Sequence, residues 1–228
     1  MNAIILAAGL GSRFKDFINN SHKALLPISS IPNIERTIQF LQAANISNIF
    51  IVTGYNSHLF EYLIDKYKCN IIYNENYKEY NSIYSFSKIA NFFADSYIID
   101  ADVVLFKNIF LEKLESSTYF LIQRAKNEKE WIPIMNENGS IQRIDVSNDH
   151  KPSLLGVSFW NKKDSFLIKE ALPNYLTPDI LSNPKYYWDD IPRKLILDSI
   201  LNVRTLLLQD NDAGEMDTVE DYLNLLNC

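Results

Sequence analysis

The N-terminal residues Met1–Phe14, MNAIILAAGLGSRF, run from a short apolar stretch directly into two glycines and an arginine. Ala3–Ala8 is apolar, short and ended by glycine, which predicts a strand buried on both faces, as in a parallel sheet. The 228 residues contain only six glycines, so Gly9 and Gly11, two positions apart, are a local concentration. A glycine turn after a buried strand is typical of loops whose backbone amides bind phosphate. The stretch therefore predicts an α/β fold that begins with a phosphate-binding loop.

Three kinds of phosphate loop could begin in this way. A Walker A loop needs Gly-Lys-Ser/Thr four residues after its first glycine, and no such string occurs. A dinucleotide-binding fingerprint needs a third glycine where Phe14 stands, because its helix packs closely on the strand. In the third kind, amides around the glycines cradle nucleotide phosphates while Arg13 and Lys23 neutralise charge from two sides. The two glycines alone would equally suit a plain strand-to-helix turn, but the whole string LAAGLGSRF, followed by HKALLP, favours the third kind.

Predicted strands and helices alternate in the first half of the chain and change character in the second. The first half has strands at Asn48–Thr53, Asn70–Tyr73 and Ser96–Asp100 and helices at Asn33–Ala44, His58–Tyr67 and Ile83–Phe93. This alternation predicts a doubly wound parallel sheet. The second half has strands at Thr118–Arg124, Trp131–Met135, Ile141–Val146, Leu154–Trp160 and Val203–Leu208, and helices at Lys162–Leu172, Ile191–Leu201 and Thr218–Leu226. The turn signal Asn138-Gly139 joins two of these strands, and we expect one α/β domain with a more irregular second half.

Composition and charge narrow the function classes. A net charge of −6 and a pI of about 5.1 argue against nucleic-acid and anionic-membrane surfaces, which need a basic stripe. Cys69 and Cys228 are too few for a disulfide framework, and His22, His58 and His150 lack metal-ligand spacing, so each histidine is expected on the surface or loosely packed. The N-terminal apolar stretch is too short for a secretory signal, and no stretch approaches a membrane span of ~20 apolar residues. A cytoplasmic location is therefore expected.

Two acidic segments are candidates for a metal site. Asp100-Ala101-Asp102 ends a predicted buried strand, and ligands of parallel sheets bind beyond the carboxyl ends of the strands. Carboxylates there suit Mg²⁺, although one of them could cap the next segment. Glu215-Met216-Asp217-Thr218 lies just before the last predicted helix. Asp217 could be the N-cap of that helix or a second metal ligand.

Aromatic and acidic residues occur together twice in the second half. Glu130-Trp131 belongs to a predicted strand, and Tyr186-Tyr187-Trp188-Asp189-Asp190 precedes a predicted helix. Aromatic faces beside carboxylates bind quaternary ammonium groups, which cannot donate hydrogen bonds, by cation–π attraction and opposite charge. A sugar pocket would need many hydrogen-bonding side chains instead. Trp131 could also be a core residue, and Asp189 or Asp190 a helix N-cap.

The string LAAGLGSR resembles the N-terminal signature of the sugar-phosphate nucleotidyltransferase family, which is followed by Pro-Lys. The chain departs from the family at His22, where proline is usual, and at Lys15–Phe17. The resemblance implies a Rossmann-like (GT-A-like) nucleotidyltransferase fold with a central mixed, mostly parallel sheet flanked by helices. It also implies catalytic roles for Arg13 and Lys23 and metal binding by Asp102 and Asp217. The implied nucleotide-binding residues of the loop are Leu6, Ala7, Ala8, Gly9, Gly11 and Ser12.

Further stretches resemble the bacterial CTP:phosphocholine cytidylyltransferases within that family. They run in order through the chain: MNAIILAAGLGSR, YNEN-YKEYNSIYSF, SYIIDADVVLFKNIF, STYFLIQR, NEKEW, GVSFW, YYWDD and GEMDTVEDY. The likeness implies that Trp131 and Tyr187 frame a trimethylammonium group, that Asp189 and Glu215 supply its counter-charge, and that Asn81 and Ser82 lie near the cytidine.

The implied reaction joins CTP and phosphocholine into CDP-choline and pyrophosphate with Mg²⁺, for decoration of a cell-surface glycan. Residues 1–115 would bind the nucleotide and residues 116–228 the acceptor. Both partners are small molecules, and the oligomeric state stays open. Phosphoethanolamine, an aminophosphonate or a sugar 1-phosphate with UTP or dTTP are alternative substrates. A nucleotide-sensing subunit without catalysis is the alternative from another class.

Overall fold

The computed structural model describes residues 1–18, 20–124, 129–209 and 211–226. Cys228 and the first two residues of the NEKEW string, 127–128, lie outside these ranges. Strands in the described ranges are β1 (Asn2–Ala7), β2 (Pro27–Ile28), β3 (Ile31–Pro32), β4 (Asn48–Thr53), β5 (Asn70–Tyr73), β6 (Ser96–Asp100), β7 (Val103–Leu105), β8 (Thr118–Ile122), β9 (Glu130–Met135), β10 (Ile141–Ser147), β11 (Ser153–Trp160), β12 (Arg204–Leu207) and β13 (Ala213–Glu215). Helices there are α1 (Lys15–Ile18), α2 (Asn33–Ala43), α3 (Tyr62–Tyr67), α4 (Ser82–Ser87), α5 (Lys162–Ala171), α6 (Pro178–Leu181), α7 (Asp190–Leu197) and α8 (Val219–Leu225).

One seven-stranded sheet forms the centre of the described chain, in the order β12-β8-β11-β6-β1-β4-β5. All its strands are parallel except β11, which runs antiparallel to both β6 and β8. The expected mixed, mostly parallel sheet is thereby confirmed. Strands from both halves of the chain share it. No helix in the described ranges has the length and hydropathy needed to cross a bilayer.

Strand β1 is buried on both faces because helices cover both sides of the sheet. Ala3, Ile5 and Ala7 pack in one hydrophobic cluster with residues of α2 and α3. Ile4 packs in a second cluster with residues of α4, α5 and α7. Since successive side chains of a strand point to opposite faces, an unbroken apolar run is what a strand in this position requires.

The predicted boundaries hold best in the parallel part of the sheet and less well in the helices. Strands β4, β5 and β6 have the predicted ends. The helix predicted over Ile83–Phe93 is the shorter α4 followed by a 3₁₀ turn at Ala90–Phe92. The helix predicted to reach Leu201 ends at Leu197, because the chain turns at Ser199 with φ of +59°.

A short strand pair that was not predicted brings distant acidic residues together. Strand β7, just after Asp102, pairs antiparallel with β13, and Glu215 lies opposite Val103. The Met216 amide extends the pairing by donating to the Asp102 carbonyl at 3.0 Å. Asp217 therefore follows directly after a residue that is hydrogen-bonded to Asp102.

Candidate active site

A cavity of about 520 Å³ opens at the carboxyl ends of β1 and β6, the place where parallel sheets bind ligands. Both halves of the chain contribute to it. The cavity is lined by Leu6, Ala7, Ala8, Gly9, His22, Lys23, Tyr77, Tyr80, Asn81, Ser82, Ser85, Asp100, Ala101, Asp102, Tyr119, Arg124, Glu130, Trp131, Leu154, Gly156, Val157, Ser158, Tyr187, Trp188, Asp189, Glu215 and Asp217.

Most residues predicted for the site lie in this one cavity. The exceptions are Gly11, Ser12 and Arg13, which do not line it. Arg13 is nevertheless close, because its guanidinium lies 3.3 Å from the carboxylate of Asp217, which does line the cavity. Both partners of this ion pair are more than half exposed.

The glycine loop is held by the aromatic residue that ends it. Gly11 has a φ of +57°, a left-handed conformation that glycine adopts without strain. Ser12–Phe14 forms a short 3₁₀ turn, and Phe14 is buried against a cluster that includes Val104 and Met216. A dinucleotide fingerprint would instead start a helix packed on the strand. The ring at position 14 therefore anchors the loop on the β7–β13 side of the molecule.

Lys23 meets the first acidic segment inside the cavity. Its Nζ lies 2.6 Å from Oδ2 of Asp102, and both side chains are at most one-quarter exposed. Burial by itself lowers the pKa of Lys23, but the charge and hydrogen bond of Asp102 outweigh it and raise the pKa overall. Lys23 therefore carries a positive charge at this point of the cavity throughout the physiological pH range.

Asp217 is not the cap of the last helix. Thr218 is the N-cap of α8, where its hydroxyl accepts from the amide of Asp221 and the Asp221 carboxylate accepts from the Thr218 amide. The carboxylate of Asp217 is thus free of a capping role and lines the cavity. Of the two interpretations open at the sequence level, the helix cap is wrong.

His22 is fully buried, so the expectation of a surface or loosely packed histidine is wrong for this residue. His58 and His150 are exposed, as predicted. The Nδ1 atom of His22 accepts from the amide of Ala24 and Nε2 lies 3.2 Å from the carbonyl of Gly9. Burial lowers the pKa of His22 to about 4, so the ring is neutral near pH 7.

Asn81 and Ser82 line the cavity, but their side chains already have protein partners. The side-chain oxygen Oδ1 of Asn81 caps α4 by accepting from the Ile83 amide. The Nδ2 of the same side chain donates to the backbone carbonyls of Ile180 and Asn183. The Ser82 hydroxyl accepts from the amide of Trp188. Both residues thus connect α4 to the segment that leads into α7.

Trp131 and Tyr187 form two sides of one end of the cavity. Their ring centroids are 6.2 Å apart and their planes lie at 86°. Trp131 is half-buried in β9 rather than part of the core, and the guanidinium of Arg193 lies 4.8 Å from its ring centroid. Arg193 does not line the cavity, so it supports the indole from outside.

Asp189 lines the same cavity as these rings and is half-buried. The hydroxyl of Tyr119 donates to its Oδ1 at 2.8 Å, and the carboxylate makes no ion pair within the described ranges. Burial raises the pKa of Asp189 to about 7, although the Tyr119 hydrogen bond opposes this. Asp189 occupies the N-cap position of α7, but its side chain makes no capping hydrogen bond. Its carboxylate is therefore available to a ligand.

Glu215 has a cationic partner, unlike Asp189. The guanidinium of Arg124 lies 2.6 Å from its carboxylate and 3.0 Å from that of Glu130. Burial still raises the pKa of Glu215 to about 7, with Arg124 opposing and Asp102 reinforcing the shift. A cation bound here would share Glu215 with Arg124.

Several cavity residues escaped prediction. Asp100 is half-buried, and its desolvation together with the charges of Asp102 and Asp189 raises its pKa well above the usual range. Trp188 is buried, stacks on Phe86 and meets Trp160 edge to face. The sequence shows the motifs DAD and YYWDD that contain these residues. A motif alone does not show which of its side chains face a cavity.

The chain matches the MobA-like NTP transferase domain over residues 3–132. It is also 54% identical over 226 residues to the choline-phosphate cytidylyltransferase of Haemophilus influenzae, covering 99% of this chain and 96% of that protein. The chain belongs to the MobA-like NTP transferase family. The resemblance inferred from the loop and the later strings is thereby confirmed, and the protein is a nucleotidyltransferase.

Two further relatives bear on this nucleotidyltransferase. A solved structure of the CTP:phosphocholine cytidylyltransferase from Streptococcus pneumoniae superposes with a TM-score of 0.93 at 35% identity, covering 99% of this chain and 97% of the other. The 2-aminoethylphosphonate cytidylyltransferase of Lancefieldella rimae is 26% identical, covering 96% of this chain and 89% of that protein. The predicted nucleotidyltransferase fold is confirmed, and enzymes of this family generally use a divalent metal ion.

Proposed function

We propose that this nucleotidyltransferase transfers the cytidylyl group of CTP to phosphocholine, giving CDP-choline and pyrophosphate. The observation that carries the proposal is the acceptor end of the cavity. There the perpendicular rings of Trp131 and Tyr187 lie beside the Asp189 carboxylate, which has no cationic partner within the described ranges. This combination suits a cation that is large, apolar on its outside and unable to donate hydrogen bonds.

A trimethylammonium group meets that description. Its positive charge is attracted to aromatic faces and to a nearby carboxylate, while its methyl groups need no hydrogen-bond acceptor. A charged Asp189 is destabilised in the free protein by burial, and a bound cation restores its preference for the ionised form. Glu215 adds negative charge from the opposite segment, shared with Arg124.

The nucleotide side of the site is built from the other half of the lining. Leu6–Gly9 line the nucleotide side, the loop that continues to Gly11 and Ser12 supplies backbone amides for the phosphates, and Asn81 and Ser82 lie toward the cytidine. Lys23 neutralises charge that develops on the α-phosphate, and Arg13 holds the leaving pyrophosphate. Both cations are paired with acids in the free protein, Lys23 with Asp102 and Arg13 with Asp217.

A divalent ion fits these acids. Asp102 and Asp217 line one cavity and are joined through the hydrogen bond from the Met216 amide to the Asp102 carbonyl. No cluster of three or more metal-binding side chains occurs within the described ranges. Two carboxylates completed by phosphate and water oxygens form a coordination shell typical of Mg²⁺. When bound, Mg²⁺ supplies positive charge to the triphosphate.

The reaction itself needs little acid–base chemistry from the protein. A phosphate oxygen of phosphocholine attacks the α-phosphorus in line, forming a new P–O bond while the bond to the β-phosphate oxygen breaks. The nucleophile is already anionic near neutral pH, so no general base is required. The protein contributes alignment and stabilisation of charge, as in other phosphoryl transfers.

A pyrophosphate-release assay tests the proposal directly. CTP and Mg²⁺ are offered with phosphocholine, phosphoethanolamine, 2-aminoethylphosphonate and glucose 1-phosphate in parallel, and UTP and dTTP replace CTP in a second series. We expect the highest kcat/KM with CTP and phosphocholine, and a loss of about 10²-fold or more in the Lys23→Ala variant. A clear preference for a primary amine or a sugar phosphate would refute the acceptor that we propose.

A further inference from the structure

Three separate segments supply the nucleotide side of the cavity. They are the glycine loop at Gly9, the 3₁₀ turn Lys23–Leu25, and the loop at Asp102 between β6 and β7. A displacement of about 1 Å between a catalytic group and its target can cost about 10²-fold in rate. Contacts that fix these segments relative to one another therefore bear on catalysis. Two buried polar side chains outside the predicted site, His22 and Asn33, make such contacts.

His22 connects the Lys23 turn to the glycine loop. Its Nδ1 accepts from the amide of Ala24 at 3.1 Å and so caps the turn. Because Nδ1 is an acceptor, the neutral ring carries its proton on Nε2, which donates to the carbonyl of Gly9 at 3.2 Å. The ring of Phe60 lies edge to face at 5.0 Å and holds the imidazole in place.

Asn33 connects the same turn to the loop that carries Asp102. Its Nδ2 donates to the carbonyl of Val103 at 2.7 Å and to that of Ala101 at 3.4 Å, the residues on either side of Asp102. Its backbone amide donates to the carbonyl of Leu26, the residue that directly follows the turn, at 3.0 Å. One residue thus holds the end of the turn through its main chain and the Asp102 loop through its side chain.

The side-chain amide of Asn33 is buried with one satisfied end and one unsatisfied end. It is 1% exposed, and its Oδ1 accepts no hydrogen bond from the part of the chain that the structure describes. Leucine would remove this unpartnered oxygen, but it would also leave the two buried carbonyls without the Nδ2 donor. What leucine could not replace is the hold of Nδ2 on the two carbonyls.

We propose that His22 and Asn33 are positioning residues that fix Lys23 relative to the glycine loop and Asp102. The inference rests on the proposed function, in which Lys23 acts at the α-phosphate. Nζ of Lys23 lies 2.6 Å from Asp102 in the free protein and must address both that acid and a phosphate held by the glycine loop. Each segment is tied to the Lys23 turn by one of the two side chains.

A double-mutant cycle tests this role of Asn33. Steady-state kcat and KM are measured for the wild type, Asn33→Leu, Lys23→Ala and the double variant, with enough enzyme to quantify residual turnover. We expect Asn33→Leu to remain folded and to lower kcat about 10-fold, while the KM for phosphocholine stays near the wild-type value. In the Lys23→Ala background the same change should have no further effect, because the group that it positions is gone.

Matched variants separate positioning from general loss of packing. Ser117 is also fully buried and bridges two segments away from the cavity, donating to Asp164 at 2.6 Å and accepting from the Asn161 amide at 3.1 Å. Ser117→Ala should lower stability without lowering kcat. At position 22, glutamine can place a donor near the original Nε2, whereas asparagine keeps only the acceptor that caps the turn. We therefore expect His22→Gln to retain more activity than His22→Asn.

The possible results are distinguishable. Wild-type kcat in Asn33→Leu, or the same fold-loss in both Lys23 backgrounds, would overturn the inference. If Asn33→Leu does not fold, the cycle of His22→Asn with Lys23→Ala decides the question by the same criterion. A wild-type protein that shows no cytidylyl transfer would refute the proposed function instead, before any cycle is measured.

Discussion

Replacing Asp189 by asparagine should remove most of the pH dependence of choline binding near neutrality. Asp189 is half-buried, its carboxylate accepts one hydrogen bond from Tyr119, and desolvation raises its pKa to about 7. A trimethylammonium cation is attracted to the ionised carboxylate and gains little from the protonated one. Protons and choline therefore compete for Asp189, and lower pH should weaken choline binding.

The size of the effect follows from this pKa. A carboxyl group with a pKa of about 7 is roughly ten-elevenths ionised at pH 8 and roughly one-eleventh ionised at pH 6. If only the ionised form binds the cation, the inhibition constant of choline increases about 10-fold between pH 8 and pH 6. In Asp189→Asn, binding should be weaker at pH 8 and change less than about 2-fold over the same range.

Choline is the appropriate probe because it carries the cation without a phosphate, whose own second pKa near 6 would obscure the result. Its inhibition constant against phosphocholine is measured by pyrophosphate release at pH 6, 7 and 8. Asparagine keeps an oxygen that can accept from Tyr119, so the shape of the site is retained. Glu215, with a pKa of about 7, is present in both proteins, and any dependence left in the variant belongs to it. An inhibition constant of choline that does not change with pH in the wild type would contradict the role of Asp189. A 10-fold change that persists in Asp189→Asn would contradict it as well.

Three further predictions follow from particular contacts. Trp131→Ala should raise the KM for phosphocholine about 10-fold and leave that for CTP unchanged, whereas Trp131→Phe should recover most of the loss; equal losses for both substrates would make Trp131 structural. Burial lowers the pKa of His22 to about 4 from the ordinary 6.5. The contribution of the neutral ring to the free energy of unfolding is therefore complete above pH 6.5 and is lost as the pH falls toward 4. In urea unfolding, the wild type should therefore lose about 2 kcal/mol more than His22→Gln between pH 7.5 and pH 5.0, and equal losses would refute a lowered pKa for His22. Gly54→Ala should destabilise the fold by about 1–3 kcal/mol, because the new Cβ would lie 2.6 Å from the Ala8 carbonyl and 2.5 Å from the Cβ of Tyr77. The control is Gly9→Ala, whose new Cβ has no atom within 4 Å and which should unfold at the same urea concentration as the wild type. Wild-type stability of Gly54→Ala would show that the neighbouring atoms move to make room for the Cβ.

The parallel part of the fold could be predicted because its signals are local. Asn48–Thr53 and Ser96–Asp100 are short apolar runs between turn residues, and such runs fit only strands buried on both faces. The glycine loop follows from the first of these strands, since a chain leaving a buried strand must turn at the sheet edge. Sequence patterning thus predicted where the cavity lies.

The join between the two acidic segments could not be predicted, because its strands are too short to show a pattern. Val103–Leu105 and Ala213–Glu215 have three residues each and are separated by more than one hundred residues in sequence. Their pairing decides that Asp102 and Asp217 face one cavity, and it also decides that Thr218 rather than Asp217 caps α8.

Buried polar residues were missed for a different reason. His22 precedes the first predicted helix and Asn33 begins it, and neither position shows in the sequence whether its side chain is buried. Their burial depends on packing between elements that are distant in the chain, such as Phe60 and the loop at Asp102. Sequence patterns do not indicate such contacts, because they form between residues that are far apart in the chain.

Tryptophan fluorescence of this protein comes from one part of the molecule. All three lie in the second half of the chain, with Trp160 and Trp188 packed edge to face in the core and Trp131 half-exposed at the cavity. Indole emission therefore reports on the acceptor side and is almost blind to the glycine loop. Because Trp131 and Trp188 line the cavity and Trp160 does not, a change in emission on adding a quaternary amine would come mainly from Trp131 and Trp188. The native chain can thus serve as its own fluorescent sensor for occupancy of this end of the cavity, without an attached dye.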